Sequence, residues 1–463
     1  MSNLSPEFMQ TLRSLVGTPN VLSDPADCWV YGYDNSRKHN SPDAVAFAVT
    51  HAEVADIVRL CRDHRVPLTA RGRGTGTSGA SIPLGAGLVL SLERMNKIVS
   101  TDATNRAMTV EPGATNQAVQ EAARASGFFW PPDPTSAAFC TVGGNLALNA
   151  GGPRTVKYGA TRENVLGLRA VTGLGEEIRT GTYTTKGSIA YDLTRLLIGS
   201  EGTLAIITEA VLRLTPLPEA RRTLQATYAQ VRDAAAAVAR VMTQPTTPCA
   251  LEMMDSGAVD IIRRQSGVPL PPGTGALLMI EIDGPEAALD SMLQAVAGAL
   301  GGTGLLEIKV AHSAEEVKEL WTARKALSPA LRTIAPNKLN EDVVVPVSKI
   351  ADLIDGLGDI SSRYGIPVVN FGHAGNGNIH VNLLYDSQDS QQEKNARPAV
   401  SAVFDLVLAL GGTLSGEHGI GREKRDYIDR AIDPVTLGLM RRIKEQFDPH
   451  GILNPGKIFP PQQ

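Results

Sequence analysis

The hydrophobic and polar positions change period along the chain. From Ala44, AVAFAVT has the run of a strand. HAEVADIVRLCRDHR then carries Val54, Ile57, Val58 and Cys61 at helical spacing, and PLTARG returns to strand period. After this strand–helix–strand opening come two strand candidates, GLVLSLERM and RAMTVEPG, and a helix candidate, TNQAVQEAARASG. Glycine and proline dominate residues 131–160, and LAIITEAVLRLTP reads as a strand pair ending near Pro218. Beyond it the texture becomes Ala-rich and helical, as in VRDAAAAVARVMTQ, with strands such as GALLMIEIDG and LEIKVAH between. This change sets three regions, 1–215, 216–410 and 411–463. The tail FDPHGILNPGKIFP is too rich in Pro and Gly for a helix and must dock to be ordered.

With 463 residues the chain exceeds one ordinary core, so several domains are expected. Apolar residues at 43% and charged residues at 20% place it among globular enzymes. A formal net charge of -4 supplies no basic field, which makes nucleic acid and anionic membrane poor partners. The opening MSNLSPEFMQTLRSLVG contains Glu7 and reads as an amphipathic helix, not a signal peptide. No run of about 18 apolar residues predicts a transmembrane segment. Cys28, Cys61, Cys140 and Cys249 lie far apart without a C-x-x-C pair. That spacing argues against an iron–sulfur cluster, a zinc ribbon or a disulfide framework, and suits a reducing cytosol, with the cysteines as small buried hydrophobes.

Chemistry enters with the glycine-rich stretches. ARGRGTGTSGA, residues 70–80, follows a strand candidate and offers Gly72, Gly74, Gly76 and Gly79 with Thr75, Thr77 and Ser78. Glycines let backbone N–H groups converge on an anion, and the hydroxyls add donors. Alone, such a loop is more often a surface turn. TVGGNLALNAGGP (141–153) and GSEGTLAIITE (199–209) repeat the chemistry, so one long ligand embraced from several sides is predicted. Neither a G-x-x-x-x-G-K-[ST] loop nor G-x-G-x-x-G in a Rossmann context is present, which disfavours a P-loop NTPase and a dinucleotide fold.

These segments, with PPDPTS between them, resemble the flavin-binding segments of the vanillyl-alcohol oxidase-like, or FAD-linked oxidase, superfamily. The resemblance implies an α+β FAD-binding domain of two subdomains over 1–215. It also implies an α+β substrate-binding cap with an antiparallel sheet over 216–410, and a returning segment, 411–463. It assigns FAD contacts to Arg71, Gly72, Gly74, Thr75, Gly76, Thr77, Ser78, Pro134, Thr135, Gly143, Gly144, Asn145, Glu201, Gly202, Ile207 and Asn454. Some members bind FAD covalently through a histidine near the first loop; this loop has none, so non-covalent FAD is expected.

The second constellation is GHAGNGNIHVN, residues 372–382, in a chain with eight histidines. VVNF before it and IHVNLLY after it are strand-like, and Asn376-Gly377 signals a hairpin. Period two puts His380, Asn382 and Leu384 on one face of the second strand. For either histidine alone, a hydrogen-bonded structural role is the commoner one. GGTLSGEHGIGREK (411–424) adds adjacent Glu417 and His418 in a glycine loop, expected between a strand and a helix, with their directions left open by the sequence. Two imidazoles and a carboxylate are the ligand set of a catalytic divalent site.

These two motifs and FDPHGILNPGKIF resemble the FAD-linked 2-hydroxy-acid dehydrogenase branch, with D-lactate dehydrogenases, the FAD-linked subunit of glycolate oxidase and D-2-hydroxyglutarate dehydrogenases. The resemblance spans about residues 40–459. It implies a divalent metal, Zn or Mn, on His373, His380 and Glu417, with His418 as base. Arg324 in LWTARKALSPAL would hold the substrate carboxylate, with Asn382 as a second substrate contact. Relatives often carry Asp where this chain has Asn376, a position outside the ligand set. The implied reaction is oxidation of a small D-2-hydroxy acid to the 2-oxo acid by hydride transfer to flavin N5. D-lactate ranks first and glycolate second, because the extra lysine of the hydroxyglutarate enzymes aligns with Asn340, although Lys338 is close. With no cysteine cluster and no NAD fingerprint, electrons must leave to a separate acceptor: an iron–sulfur subunit, an electron-transfer protein, a quinone or a cytochrome. A cytoplasmic protein, peripheral to the inner membrane through such a partner, and a homodimer are compatible with this reading. The rivals are a metal-dependent hydrolase, which would be colourless; a FAD-containing transferase akin to the alkyl-glycerone-phosphate synthases, whose histidine-rich loop is not evident; and an inactive scaffold subunit.

Overall fold

The computed structural model describes residues 4–265 and 269–461. It divides into two compact units, 1–151 with 159–217 and 417–463, and 152–158 with 218–416.

In the first unit, helix Pro6–Val16 is capped by the Ser5 hydroxyl, which accepts the Phe8 N–H, and it buries Phe8, Met9, Leu12 and Val16. A four-stranded sheet in the order β1-β2-β4-β3 contains β1 (Val21–Leu22), β2 (Ala44–Phe47), β3 (Leu68–Arg71) and β4 (Leu88–Ser91). Strands β2, β4 and β3 are parallel, and helix His51–His64 connects β2 to β3, as the alternating periods of that stretch predict. The tail docks on the open edge of β3, with Leu68 N–H on Ile452 O (2.8 Å) and Asn454 N–H on Leu68 O (2.8 Å). Ile452 and Leu453 are buried there in the same core as Leu88 and Leu90.

An antiparallel sheet in the order β5-β6-β10-β8-β9 comprises β5 (Ile98–Asp102), β6 (Ala107–Val110), β8 (Val165–Thr172), β9 (Glu177–Gly181) and β10 (Ala205–Arg213). The short β7 (Phe128–Phe129) pairs with β11 (Thr215–Pro216). The core of this half gathers Trp130, Val142, Leu146 and Ile207, and the fully buried Trp130 donates its indole N–H to Asn164 O at 3.0 Å.

The second unit is built on one seven-stranded antiparallel sheet, β15-β12-β14-β13-β17-β18-β16. Its members are β12 (Ala220–Tyr228), β13 (Ala250–Met254), β14 (Ala276–Gly284), β15 (Leu305–Val310), β16 (Asn337–Val344), β17 (Val368–His373) and β18 (Asn378–Tyr385). β17 and β18 form the expected hairpin: Ala374–Asn376 makes a single 3-10 turn, and Gly377 supplies the left-handed residue (φ 73°) that returns the chain. The strand expected before residues 411–424 is instead helix Ser390–Ala409, followed by a lone bridge from Thr413 to Val344. The apolar residues of VFDLVLAL continue the helical spacing of the buried Val400, burying Val403, Phe404 and Val407, which a short apolar run cannot distinguish from a strand.

Candidate functional site

The glycine segments meet within the first unit. A Cβ at Gly72 would collide with Thr141 Oγ1, and one at Gly143 would press on Pro112, so backbones approach here as only glycine allows. Thr141 caps helix Val142–Leu148, accepting Gly144 N–H at 3.3 Å. Gly199 and Glu201 donate their N–H groups to Leu146 O (2.9 Å) and Ala147 O (2.8 Å), which locks the second segment to the third. Pro134 O accepts Ala137 N–H in the turn that carries Thr135. Arg71 is buried, its guanidinium donating to Ser81 Oγ (3.3 Å) and Val30 O (3.4 Å), so it braces the 70–80 loop from behind.

Thr77 Oγ1 and Ser78 Oγ are buried with no hydrogen-bond partner among the described residues. The Asn145 amide nitrogen faces only the weakly accepting Cys140 sulphur. Orphaned buried donors are costly, and here they sit on the two segments assigned to a phosphate-bearing ligand. The donors and close-approach glycines fit FAD.

Glu201 also supports a loop, which the sequence did not disclose. Its side chain is buried in a left-handed turn (φ 55°) and accepts Ile420 N–H (2.7 Å) and Gly421 N–H (2.8 and 3.1 Å). Burial pushes its carboxyl up, opposed by the Gly421 and Ile420 N–H groups and by Lys457 and Lys424. The Asn454 amide donates to Glu201 O (2.7 Å) and Ala80 O (2.8 Å), and Arg422 N–H reaches Ser78 O (2.9 Å). The loop after Glu417 and His418 is thus tied at residues 420–422 to the first and third glycine segments. Glu417 and His418 themselves are half-buried.

In the second unit the strand register builds a polar face. Phe371 lies opposite His380, and His380 opposite Asp342; Val369 lies opposite Asn382, and Asn382 opposite Asn340. Met253 pairs with Gly372, so Glu252 falls opposite His373. Residues directly opposite share a face, so Glu252, Phe371, His373, His380, Asn382, Asn340 and Asp342 project together. The two imidazoles meet edge to face with centroids 5.2 Å apart.

Each imidazole backs onto a fully buried carboxylate through Nδ1: His373 onto Glu252 Oε1 at 2.5 Å, and His380 toward Asp342 Oδ1 at 3.6 Å. Asp342 also accepts Asn378 Nδ2 (2.6 Å), and its other oxygen takes Gly416 N–H (2.9 Å), the residue before Glu417. Burial raises the Glu252 carboxyl, but His373 and Arg324 outweigh it and hold the group down at about 2.

Arg324, on helix Ala314–Ala330, donates Nε (2.9 Å) to Glu252 Oε2, to which Nη2 is ion-paired at 2.7 Å. Its guanidinium lies over the Phe371 ring at 4.7 Å. Asn382 is fully buried, donating to Val369 O and His380 O and accepting from Asn340 Nδ2 at 2.6 Å. Its polar atoms are engaged inside the sheet, where they brace the strand that bears His380. Sequence reasoning missed Glu252 and left Asp342 without a role. The available signal was a carboxylate inside each apolar strand, ALEMM and DVVVP, which cannot be buried without cationic or N–H partners. All four cysteines are free and buried, as expected of small hydrophobes.

Glycine segments that fit FAD, followed along the chain by a sheet face of histidines, accord with an FAD-linked oxidoreductase, the class that the known proteins give. Residues 42–181 match a family described as FAD binding domain, and residues 217–458 match FAD linked oxidases, C-terminal domain. The chain belongs to the FAD-linked oxidases, within the vanillyl-alcohol oxidase-like group. It is 36% identical over 457 residues to the glycolate oxidase subunit GlcD of Bacillus subtilis, covering 98% of this chain and 97% of that protein. A D-lactate dehydrogenase of Anaerostipes hadrus is 36% identical over 428 residues, covering 90% and 89%. GlcD of Escherichia coli K12 is 33% identical, covering 98% and 91%. Among solved structures, p-cresol methylhydroxylase superposes with a TM-score of 0.82 over 98% of both chains at 18% identity, a likeness of fold. Among the described residues no helix is long and apolar enough to cross a membrane.

Proposed function

We propose that this protein oxidises a small D-2-hydroxy acid, D-lactate first and glycolate second, to the 2-oxo acid. The observation that carries the reading is the pair of imidazoles on one sheet face whose Nδ1 atoms face the buried carboxylates of Glu252 and Asp342, so that Nε2 is the ring nitrogen turned away from the carboxylate in each. The hydrogen-bonded His373–Glu252 pair is of the kind that orients metal-ligating histidines, while His380 and Asp342 lie 3.6 Å apart, outside hydrogen-bond reach. His373, His380 and Glu417 would hold a divalent ion, Zn or Mn. FAD, when bound non-covalently in the first unit, supplies the hydride acceptor, and the cation, when bound, polarises the substrate hydroxyl.

The protein's own residues do the rest. Arg324 presents its remaining N–H edge to the substrate carboxylate, an interaction suited to guanidinium geometry. His418 takes the hydroxyl proton, a contribution of roughly 100-fold to 10,000-fold in rate. Glu201 and Asn454 hold the loop that follows His418 in register with the flavin segments. Electrons leave to a separate acceptor, and the naming of two relatives as a glycolate oxidase subunit favours a partner subunit.

D-2-hydroxyglutarate is the second reading, and one observation favours it. Lys338 Nζ lies 3.0 Å from Ser328 Oγ, one helical turn beyond Arg324, where it could meet a distal carboxylate. Turnover with a dye acceptor on D-lactate, glycolate and D-2-hydroxyglutarate decides the substrate. Selectivity for D-lactate supports the first reading, a preference for the dicarboxylate replaces it with the second, and no oxidation of any of the three rejects both.

A further inference from the structure

Glu252 has two partners, His373, proposed as a metal ligand, and Arg324, proposed as a substrate contact. Its two oxygens are divided between them: Oε1 takes His373 Nδ1 and Oε2 takes both Nε and Nη2 of Arg324. Glu252 has no exposed surface, and the strand around it, Ala250–Met254, is buried throughout. A carboxylate placed there must be fully paired to be tolerated.

We propose that Glu252 is a positioning residue that couples cation binding to substrate binding, an inference that rests on the metal reading above. By accepting at His373 Nδ1 it fixes the tautomer and ring angle that present Nε2 to the ion. By occupying the side-on edge of Arg324 it leaves only the end-on edge, Nη1 and the second Nη2 hydrogen, for an anion. Arg324 is held against Phe371, and Phe371 in turn sits edge-on to the His380 ring at 6.0 Å. One carboxylate therefore sets the geometry of both binding groups, and a change at either is felt at the other.

Glu252→Gln tests this, because a neutral amide keeps the shape but offers one acceptor oxygen and turns an N–H toward one of the two donors. Metal-stripped protein is titrated with Zn²⁺ and with Mn²⁺ against a competing chelator, alongside ¹⁵N-imidazole spectra of His373 and steady-state kinetics. The expected result is a cation Kd weakened about 10-fold to 100-fold, a mixed His373 tautomer, and a KM for D-lactate that rises more than kcat falls. A purely structural role would lower stability and leave the Kd and tautomer of the folded fraction unchanged. Should the Gln variant not fold, Glu252→Asp keeps the charge and withdraws it by one methylene, with the same readouts expected to move in the same direction. Wild-type protein that binds the ion, beside a folded variant with equal Kd and tautomer, overturns the inference alone. Wild-type protein that binds neither ion overturns the metal reading and the inference with it.

Discussion

Replacing Glu201 separates flavin contact from loop support. Its carboxylate accepts two backbone N–H groups, at Ile420 and Gly421, in a site with almost no solvent. Glu201→Ala leaves both N–H groups buried and unpaired, at about 1 to 3 kcal/mol each, so a loss of about 2 to 5 kcal/mol follows once relaxation lets some water in. Glu201→Gln retains one acceptor oxygen and gives up charge assistance, for a loss of about 1 to 2 kcal/mol. Burial raises the wild-type carboxyl, and a raised acid contributes stability that is complete at low pH and lost as pH rises through its folded value. The gap between wild type and Glu201→Gln should accordingly widen as the pH is lowered and the wild-type side chain becomes neutral, because the amide does not titrate. Urea unfolding gives the global loss, and hydrogen exchange at the Ile420 and Gly421 amides gives the local one. Faster exchange at these two amides, exceeding the global effect, is expected in the Ala variant. Unchanged protection at both would refute the clamp.

Arg324→Ala should raise KM for hydroxy acids sharply and, unlike a surface charge, also destabilise the protein by about 3 to 5 kcal/mol, because Glu252 is left buried with half its partners; equal stability in urea would show that the pair is not desolvated. His418→Ala should keep flavin bound and lose most turnover, and a kcat within a few fold of wild type would remove it as the base. Thr77→Val and Ser78→Ala each remove one orphaned hydroxyl, and each should weaken FAD about 5-fold by equilibrium titration, equivalent to about 1 kcal/mol. Burial first, then Arg425 and Arg422, lower Lys457 from 10.5 to about 8 against the pull of Glu201 and Asp34. The unfolded chain then holds the extra proton between those values, so stability should rise with pH across that window by about 3 kcal/mol. Lys457→Met should flatten the rise, as read by urea midpoints at pH 7.5 and 10.5.

What the sequence disclosed and what it hid follow from the range of the interactions. The opening strand–helix–strand, the His373–His380 hairpin and the glycine segments are local patterns, carried by period and turn chemistry, and the structure has them at those residues. The helix Ser390–Ala409 was harder, since its apolar end also fits a strand. Glu252 lies 121 residues from His373, and Asp342 lies 38 from His380, so these pairings exist only through sheet register. Asn382 was legible as facing the site, but its bonds to Asn340 and Val369 on the two neighbouring strands, and to His380 O on its own, were not. Glu201, read by resemblance as a flavin contact, also grips a backbone 219 residues later. No spacing rule reports such a contact.

The central claim is that an enzyme-bound flavin is reduced by a D-2-hydroxy acid, and the most direct test is the visible spectrum of the purified protein before and after anaerobic addition of D-lactate. The account predicts a flavin spectrum that bleaches with D-lactate and stays unchanged with L-lactate. A yellow protein that none of D-lactate, D-2-hydroxyglutarate and the achiral glycolate bleaches would contradict it.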